Sequence, residues 1–248
     1  MKFLVSSLPT KGITIPNGLI RELDINPLTY KQLVKFTNKD YINDIDKTIA
    51  EIENFITDIH HWELLSAYDL SSILFTRKYI SATLNNELLL RYNGKDYSIP
   101  LDSITFKDFN EELLNIKTVD INGKTFLFKV PTIKEYLEAL RAVSSVSTDE
   151  ELWLNKYDVM ILTALGLNQS NVRDMLYDYS NASGDDVVTI KHIDNLLNNT
   201  VNDVTIKDAN GGDKVVDVNR YATDIFQLIY LNRPLNTSKI GLKSRVES

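Results

Sequence analysis

The chain has 248 residues, 43% hydrophobic and 25% charged, which suits a globular protein with one large core or two modest ones. Its 34 acidic and 27 basic residues give a net charge of -7; with lysines and acids intermingled and only Lys239, Lys243 and Arg245 forming a local basic patch, nucleic acid is not expected as the principal partner. The absence of cysteine excludes disulfides, thiol catalysis and cysteine-ligated zinc, and no apolar run builds a signal peptide or reaches the ~18 residues of a membrane span, so a soluble, non-secreted protein is expected.

In chain order, Leu8-Pro9-Thr10-Lys11-Gly12 reads as a turn before Ile13-Thr14-Ile15, and Pro16-Asn17-Gly18 as a second turn before Leu19–Ile25. With Leu23 and Ile25 alternating, this predicts a β-hairpin, and Asn26-Pro27 predicts the N-cap and first residue of a helix to about Phe36. Next comes a strong helical pattern. Ile42, Ile45, Ile49, Ile52, Ile56 and Ile59 recur in alternating steps of three and four, a seam of period 3.5. A further helix is expected over Ser66–Ala82, burying Leu70, Ile73, Leu74 and Tyr79.

Strand character follows. Leu88–Tyr92 and Asp96–Ile99 flank Asn93-Gly94, and Thr118–Ile121 and Thr125–Val130 flank Asn122-Gly123, each an Asn-Gly hairpin signal. A short helix is expected between them near Phe109–Leu114, and Pro131-Thr132 opens another to about Val143. The small, polar stretch Val143–Ser147 marks the expected boundary between lobes. Beyond it, Thr148 and Glu151 form a capping box for a helix to about Leu165, with further helices near Ser170–Tyr179 and Thr189–Leu197. A third hairpin joins Asp203–Ile206 to Lys214–Val218 through Asn210-Gly211-Gly212, then a helix spans Tyr221–Leu231 before a polar tail. The expected class is α+β, predominantly helical with three local antiparallel β-hairpins. The expected parts are 1–65 (N-terminal hairpin and helical segment), 66–146 (helix and two-hairpin lobe) and 147–248 (C-terminal helical lobe with one hairpin and a mobile tail).

No phosphate-binding glycine loop, nucleophile elbow or HExxH string occurs, and Gly211-Gly212 lies between strands, where a turn is the simple reading. His60-His61 are adjacent and face different ways on a helix, whereas a helical metal pair wants a spacing of four. Asp208–Asp213 lacks the alternating carboxylates of a calcium loop, and Asp185-Asp186 and Glu150-Glu151 fit helix N-termini. Trp62 and Trp153 read as core anchors or, alternatively, as interface anchors. No catalytic residue, metal or cofactor is expected from these patterns.

Several segments, in order, resemble the baseplate hub assembly family of T-even-type and related contractile-tailed bacteriophages. Leu8-Pro9-Thr10-Lys11-Gly12 is similar to that family's N-terminal LPSKG-like element, and Ile25-Asn26-Pro27-Leu28-Thr29 to the I-x-P-L-T step that follows it. Asp69–Ser81 resembles the family's helix with spaced Asp, Leu, Arg and Ser. Gly123-Lys124-Thr125-Phe126 and then Pro131-Thr132 match its later G-K-x-F hairpin and helix start. The resemblance covers roughly residues 8 to 140, and it is the order of these segments that carries it. Relatives often carry cysteine pairs near the first hairpin, as in a zinc ribbon; here Arg91-Tyr92-Asn93-Gly94 stands in that place and no metal is implied.

The resemblance implies a non-enzymatic protein-binding factor, an assembly chaperone for the tail baseplate hub, working in the host-cell cytoplasm. A structural baseplate or virion subunit and an enzyme of unrecognised type are the alternatives. Its partners would be other tail proteins, hub or tape-measure components, with a second copy of this chain a further candidate and neither nucleic acid nor membrane expected. The residues expected to bind partners are Ile42, Ile45, Ile49 and Ile52 of the seam, Trp62, and Pro9, Lys11 and Gly12 of the opening loop. For the seam, the simple alternative is packing against the chain's own helices.

Overall fold

A computed structural model describes residues 2–32, 45–81, 87–146, 156–198, 201–207 and 211–216. Within these, helices alternate with two-stranded antiparallel sheets, the α+β arrangement expected. Strand β1 (Lys2–Leu4) pairs with β2 (Glu22–Asp24). Helix α1 (Ile45–Ile56) and helix α2 (Leu70–Ser81) follow. Two hairpins come next, β3 (Glu87–Tyr92) with β4 (Lys95–Pro100), and β5 (Thr118–Ile121) with β6 (Lys124–Leu127), separated by the short α3 (Glu112–Asn115). Helices α4 (Ile133–Ser145), α5 (Lys156–Ala164), α6 (Val172–Ser180) and α7 (Asp185–Asn198) lead to the hairpin of β7 (Val204–Lys207) and β8 (Asp213–Val216).

The two Asn-Gly hairpins form where expected, with positive φ at Asn93, Gly94, Asn122 and Gly123. Such turns match the twist of their flanking strands and tolerate few other residue pairs. The N-terminal expectation needs correction. Ile13-Thr14-Ile15 lies in turns, and β2 pairs instead with Lys2–Leu4. Local turn signals do not show that partner, because a long loop separates the two strands.

The helix expected from Asn26-Pro27 begins later. Residues 26–29 are non-helical, and the reciprocal bonds between Thr29 and Gln32 form a capping box for a helix whose described turn is 30–32. The Asn26 carbonyl and the Leu28 N–H are both taken by side chains of α2, which holds this stretch out of helical conformation.

Helix α4 is the central post. Its N-cap Thr132 and Glu135 form a full capping box, and it buries Ile133, Tyr136, Leu137, Ala139, Leu140, Ala142 and Val143. It contacts α1 on one side and α5 on another, and α5 in turn contacts α7. A two-strand-like crossing ties its start to the entry of α2: the Ile133 N–H donates to the Leu65 carbonyl (2.8 Å), and the Ala67 N–H to that of Pro131 (2.9 Å).

The stretch expected to separate two lobes is the buried end of α4, with Val143 and Val146 both in the core. One cluster of buried side chains runs from Val5 to Val216. The tip of the second hairpin crosses that expected boundary too. The Asn122 N–H donates to Asp186 and its amide to the Asp178 carbonyl, while the Lys124 ammonium reaches both oxygens of the buried Asp178 carboxylate at 2.9 and 2.8 Å. Asp185 and Asp186 occupy the first turn of α7, as their position suggested. Tyr79, expected in the core, is 47% exposed, whereas Arg77 and Lys78 of the same helix are buried. The capping box at Thr148, Trp153, the helix at Tyr221–Leu231 and the basic patch at 239–245 lie outside the described residues. Among those residues no helix is long and apolar enough to cross a membrane.

Candidate binding surface

Asp69, just before helix α2, and Arg77 and Ser81 on that helix are three polar side chains that bond to the first thirty residues. At its entry Asp69 is fully buried and accepts the N–H (2.9 Å) and the hydroxyl of Thr10. Two turns on, the guanidinium of Arg77 is buried as well. Its Nη2 donates to Asp58 at 2.9 Å, its Nη1 to the same carboxylate and to the Phe55 carbonyl, and its Nε to the Asn26 carbonyl at 3.1 Å. At the helix end the Ser81 hydroxyl accepts the Leu28 N–H and donates to the Arg77 carbonyl.

The Phe55 carbonyl is one of the last four of α1, which have no partner within a helix, so Arg77 caps α1 from outside. This also revises the seam. The helix ends at Ile56, Ile59 packs from the turn that follows, and His61 takes a left-handed φ of 64°. His60 and His61 therefore lie beyond the helix, both exposed, with ring centroids 3.9 Å apart. Among the described residues no group of three His, Cys, Asp or Glu could hold a metal ion.

Burial alone pushes the Asp69 carboxyl up to about 7, opposed by the two Thr10 donors. Because this value lies above that of an unfolded aspartate, Asp69 contributes stability that is complete in acid and is lost as pH rises towards neutrality. Asp69→Asn keeps the shape and removes the charge: its amide oxygen still accepts the Thr10 N–H, while its –NH2 reverses the second bond and donates to the Thr10 hydroxyl oxygen. From pH 5 to pH 8 the natural chain should therefore lose on the order of 2–4 kcal/mol relative to this variant, read from urea midpoints at each pH. Parallel pH profiles for the two proteins would refute the assignment.

The expected binding residues fall into two groups. Ile49 and Ile52 are buried in the core cluster, on a helix that contacts α4, and form core rather than surface. Ile45 opens α1, and Ile42 lies outside the described residues. Pro9 is buried, and its carbonyl accepts the Phe109 N–H (3.1 Å) beside the edge-to-face pair of Tyr68 and Phe109.

Lys11, in contrast, is exposed, and it and Gly12 follow each other with positive φ of 52° and 78°. The Thr14 hydroxyl donates to the Leu64 carbonyl (2.7 Å), which sets this loop against the 3-10 turn Trp62–Leu64, where Trp62 is half-buried. The fold thus brings the Lys11-Gly12 loop and the Trp62 turn together, with Ile13 40% exposed between Gly12 and Thr14. Gly12 is required twice over, by its φ and because a Cβ there would collide with Val5 Cγ1. Gly12→Ala should cost about 2–3 kcal/mol. Gly94→Ala, whose Cβ would meet nothing, should cost only about 1 kcal/mol. Equal thermal shifts for the two would show that the loop yields.

A groove of about 500 Å³ is a feature no motif announced. It lies between 97–100 with Ser103 on one side and 203–207 on the other. One end is closed by an antiparallel bridge between Phe106 and Val201, by the Asn202 N–H on the Thr105 carbonyl (3.0 Å), and by the Asn202 amide on the Thr105 hydroxyl (2.8 Å). From there β4 and β7 could have continued as one ladder. The 3-10 turn Leu101–Ser103, entered from Pro100, breaks the strand and leaves them apart. The sequence signal was Pro100 at the end of a strand, but its consequence depends on β7, about a hundred residues away in the chain. Neither protein-family models, curated proteins nor solved structures yield a match to the chain.

Proposed function

We propose that this protein is a non-enzymatic protein-binding factor that assists assembly of the baseplate hub of a contractile-tailed bacteriophage, acting in the host cytoplasm. The observation that carries the reading is a convergence. The segments that resemble the hub assembly family, 8–12, 25–29 and 69–81, are scattered in sequence, yet they meet through particular side chains: Asp69 on Thr10, Arg77 on the Asn26 carbonyl, and Ser81 on the Leu28 N–H. A set of matched residues that is also one bonded unit supports a shared architecture better than the order of short motifs alone. Lys11 of that unit is exposed beside the turn that carries the half-buried Trp62, which packs against the core with part of its surface free, as an aromatic of the kind enriched at binding hot spots.

Co-expression with hub and tape-measure proteins of contractile tails tests the proposal. The expected result is a complex with a hub or tape-measure component that assembles in infected cells, with the protein depleted from purified particles. Stoichiometric retention in particles would instead make it a structural subunit. No association with any tail protein would end the reading.

A further inference from the structure

We infer that Asn93 is a site of spontaneous covalent modification, losing its side-chain amide to attack by the Gly94 nitrogen, and that the fold shields Asn122 from the same reaction. This stands independently of the reading as a protein-binding factor. The two sites form a matched pair. Each is an Asn-Gly turn with a bulky residue before it and a lysine after it, Tyr92-Asn93-Gly94-Lys95 against Ile121-Asn122-Gly123-Lys124. Their backbones agree, with φ of 49° and 76° in the first turn and 51° and 73° in the second. The strand pairs Tyr92–Lys95 and Ile121–Lys124 close the two turns. Each hairpin also has a side-chain bond across its next pair, Arg91 to Asp96 in the first and Thr125 to Asp120 in the second. Local chemistry therefore does not distinguish them. A third described Asn-Gly pair, Asn17-Gly18, lies in a 3-10 turn after Pro16 and has no such counterpart.

Solvent water is the sole co-reactant. The Gly94 nitrogen gives up its proton and bonds to Asn93 Cγ; the Cγ–Nδ2 bond breaks, and the nitrogen takes a proton and leaves as ammonia. Water then opens the resulting cyclic imide at either carbonyl. Cleavage at Cγ leaves aspartate, and cleavage at the α-carbonyl leaves isoaspartate, whose main chain runs through Cγ and is one methylene longer. Either product adds a negative charge to a chain of net charge -7. Glycine favours the attack because no Cβ crowds the approach. A type I′ turn opposes it, since the backbone must rotate about the asparagine Cα–C bond before the ring can close. The rate therefore follows how readily each tip leaves its turn.

Here the hairpins part. Asn93 is exposed, and its side chain has no hydrogen-bond partner among the described residues. Asn122 is exposed too, but its N–H donates to Asp186 of α7 (2.9 Å) and its Nδ2 to the Asp178 carbonyl of α6 (2.6 Å). Beside it Lys124 reaches the Asp178 carboxylate at 2.9 and 2.8 Å. One of these bonds holds the nitrogen that must leave, and the others hold the backbone that must rotate.

The test incubates the full chain at mildly alkaline pH and follows aspartate and isoaspartate at each site by peptide mass spectrometry. Asn93 should react at least about tenfold faster than Asn122, whose two extra hydrogen bonds must break first. In denaturing urea, where the tertiary ties are gone, the two rates should converge. Asp186→Ala, which removes one tie, should speed the reaction at Asn122 and leave Asn93 unchanged. Equal rates in the folded chain would overturn the inference. So would an Asn93 that stays intact when folded yet reacts in urea, because the turn alone would then protect it. A difference that persists in urea, or an Asn122 rate unmoved by Asp186→Ala, would refute shielding by these bonds.

Discussion

Replacing Arg77 by alanine is expected to lower the unfolding free energy by about 3–4 kcal/mol. The guanidinium joins three separate stretches of chain: the carbonyl that ends α1, the Asp58 carboxylate in the turn beyond it, and the Asn26 carbonyl before the next helix start. Its side chain is 1% exposed and that of Asp58 is 44% exposed. Asp58 can therefore rehydrate after the loss, which keeps the cost below that of a fully buried ion pair. The Phe55 carbonyl cannot do so as easily, and a large buried stem leaves a cavity behind. Arg77→Lys keeps the charge but offers a point donor where a planar fork served three acceptors, so it should recover less than half of the loss. Urea unfolding measures both. A loss below about 1 kcal/mol for the alanine variant would mean that the N-terminal segment is held without this side chain.

Ile52→Asn should cost about 3–5 kcal/mol, because it removes a fully buried aliphatic group and puts an unpaired amide in the core. Ile52→Val, which deletes one methylene and adds no polar group, should cost about 1 kcal/mol. The pair of variants separates core from docking face. If Ile52 belongs to the core, both lower the melting temperature of the isolated monomer in that order. A monomer that melts unchanged while losing a partner would return the seam to the role of a docking face. The nearby Glu53–Arg141 ion pair flanks the same contact at the surface, and its removal should matter far less.

The Asp69 pin differs from both in kind. Arg77 meets a carboxylate, whereas Asp69 meets the neutral donors of Thr10, and burial raises its carboxyl to about 7. The N-terminal segment is thus fastened by the bonds of Arg77 and by Asp69, whose burial makes its contribution to stability fall as pH rises towards neutrality.

What could be read from the sequence was whatever is decided within a few residues. The Asn-Gly hairpins, the capping box at Thr132 and the amphipathic runs of α1 and α4 all depend on φ preferences, side-chain reach and periodicity inside one segment. The Thr29–Gln32 box was equally local and equally legible, but Asn26-Pro27 offered a competing start, and only the bonds to Arg77 and Ser81 show why the chain stays extended there. The pairing of β1 with β2, the burial of Ile49 and Ile52 in the common core, the Asp69 and Arg77 pins and the groove between β4 and β7 each join residues far apart in the chain. A short strand, an isoleucine seam or an isolated arginine is compatible with several partners, since hydrophobic burial is non-directional and a strand edge accepts any other. Local chemistry specified which elements form, and tertiary packing decided which of their faces remained free to bind.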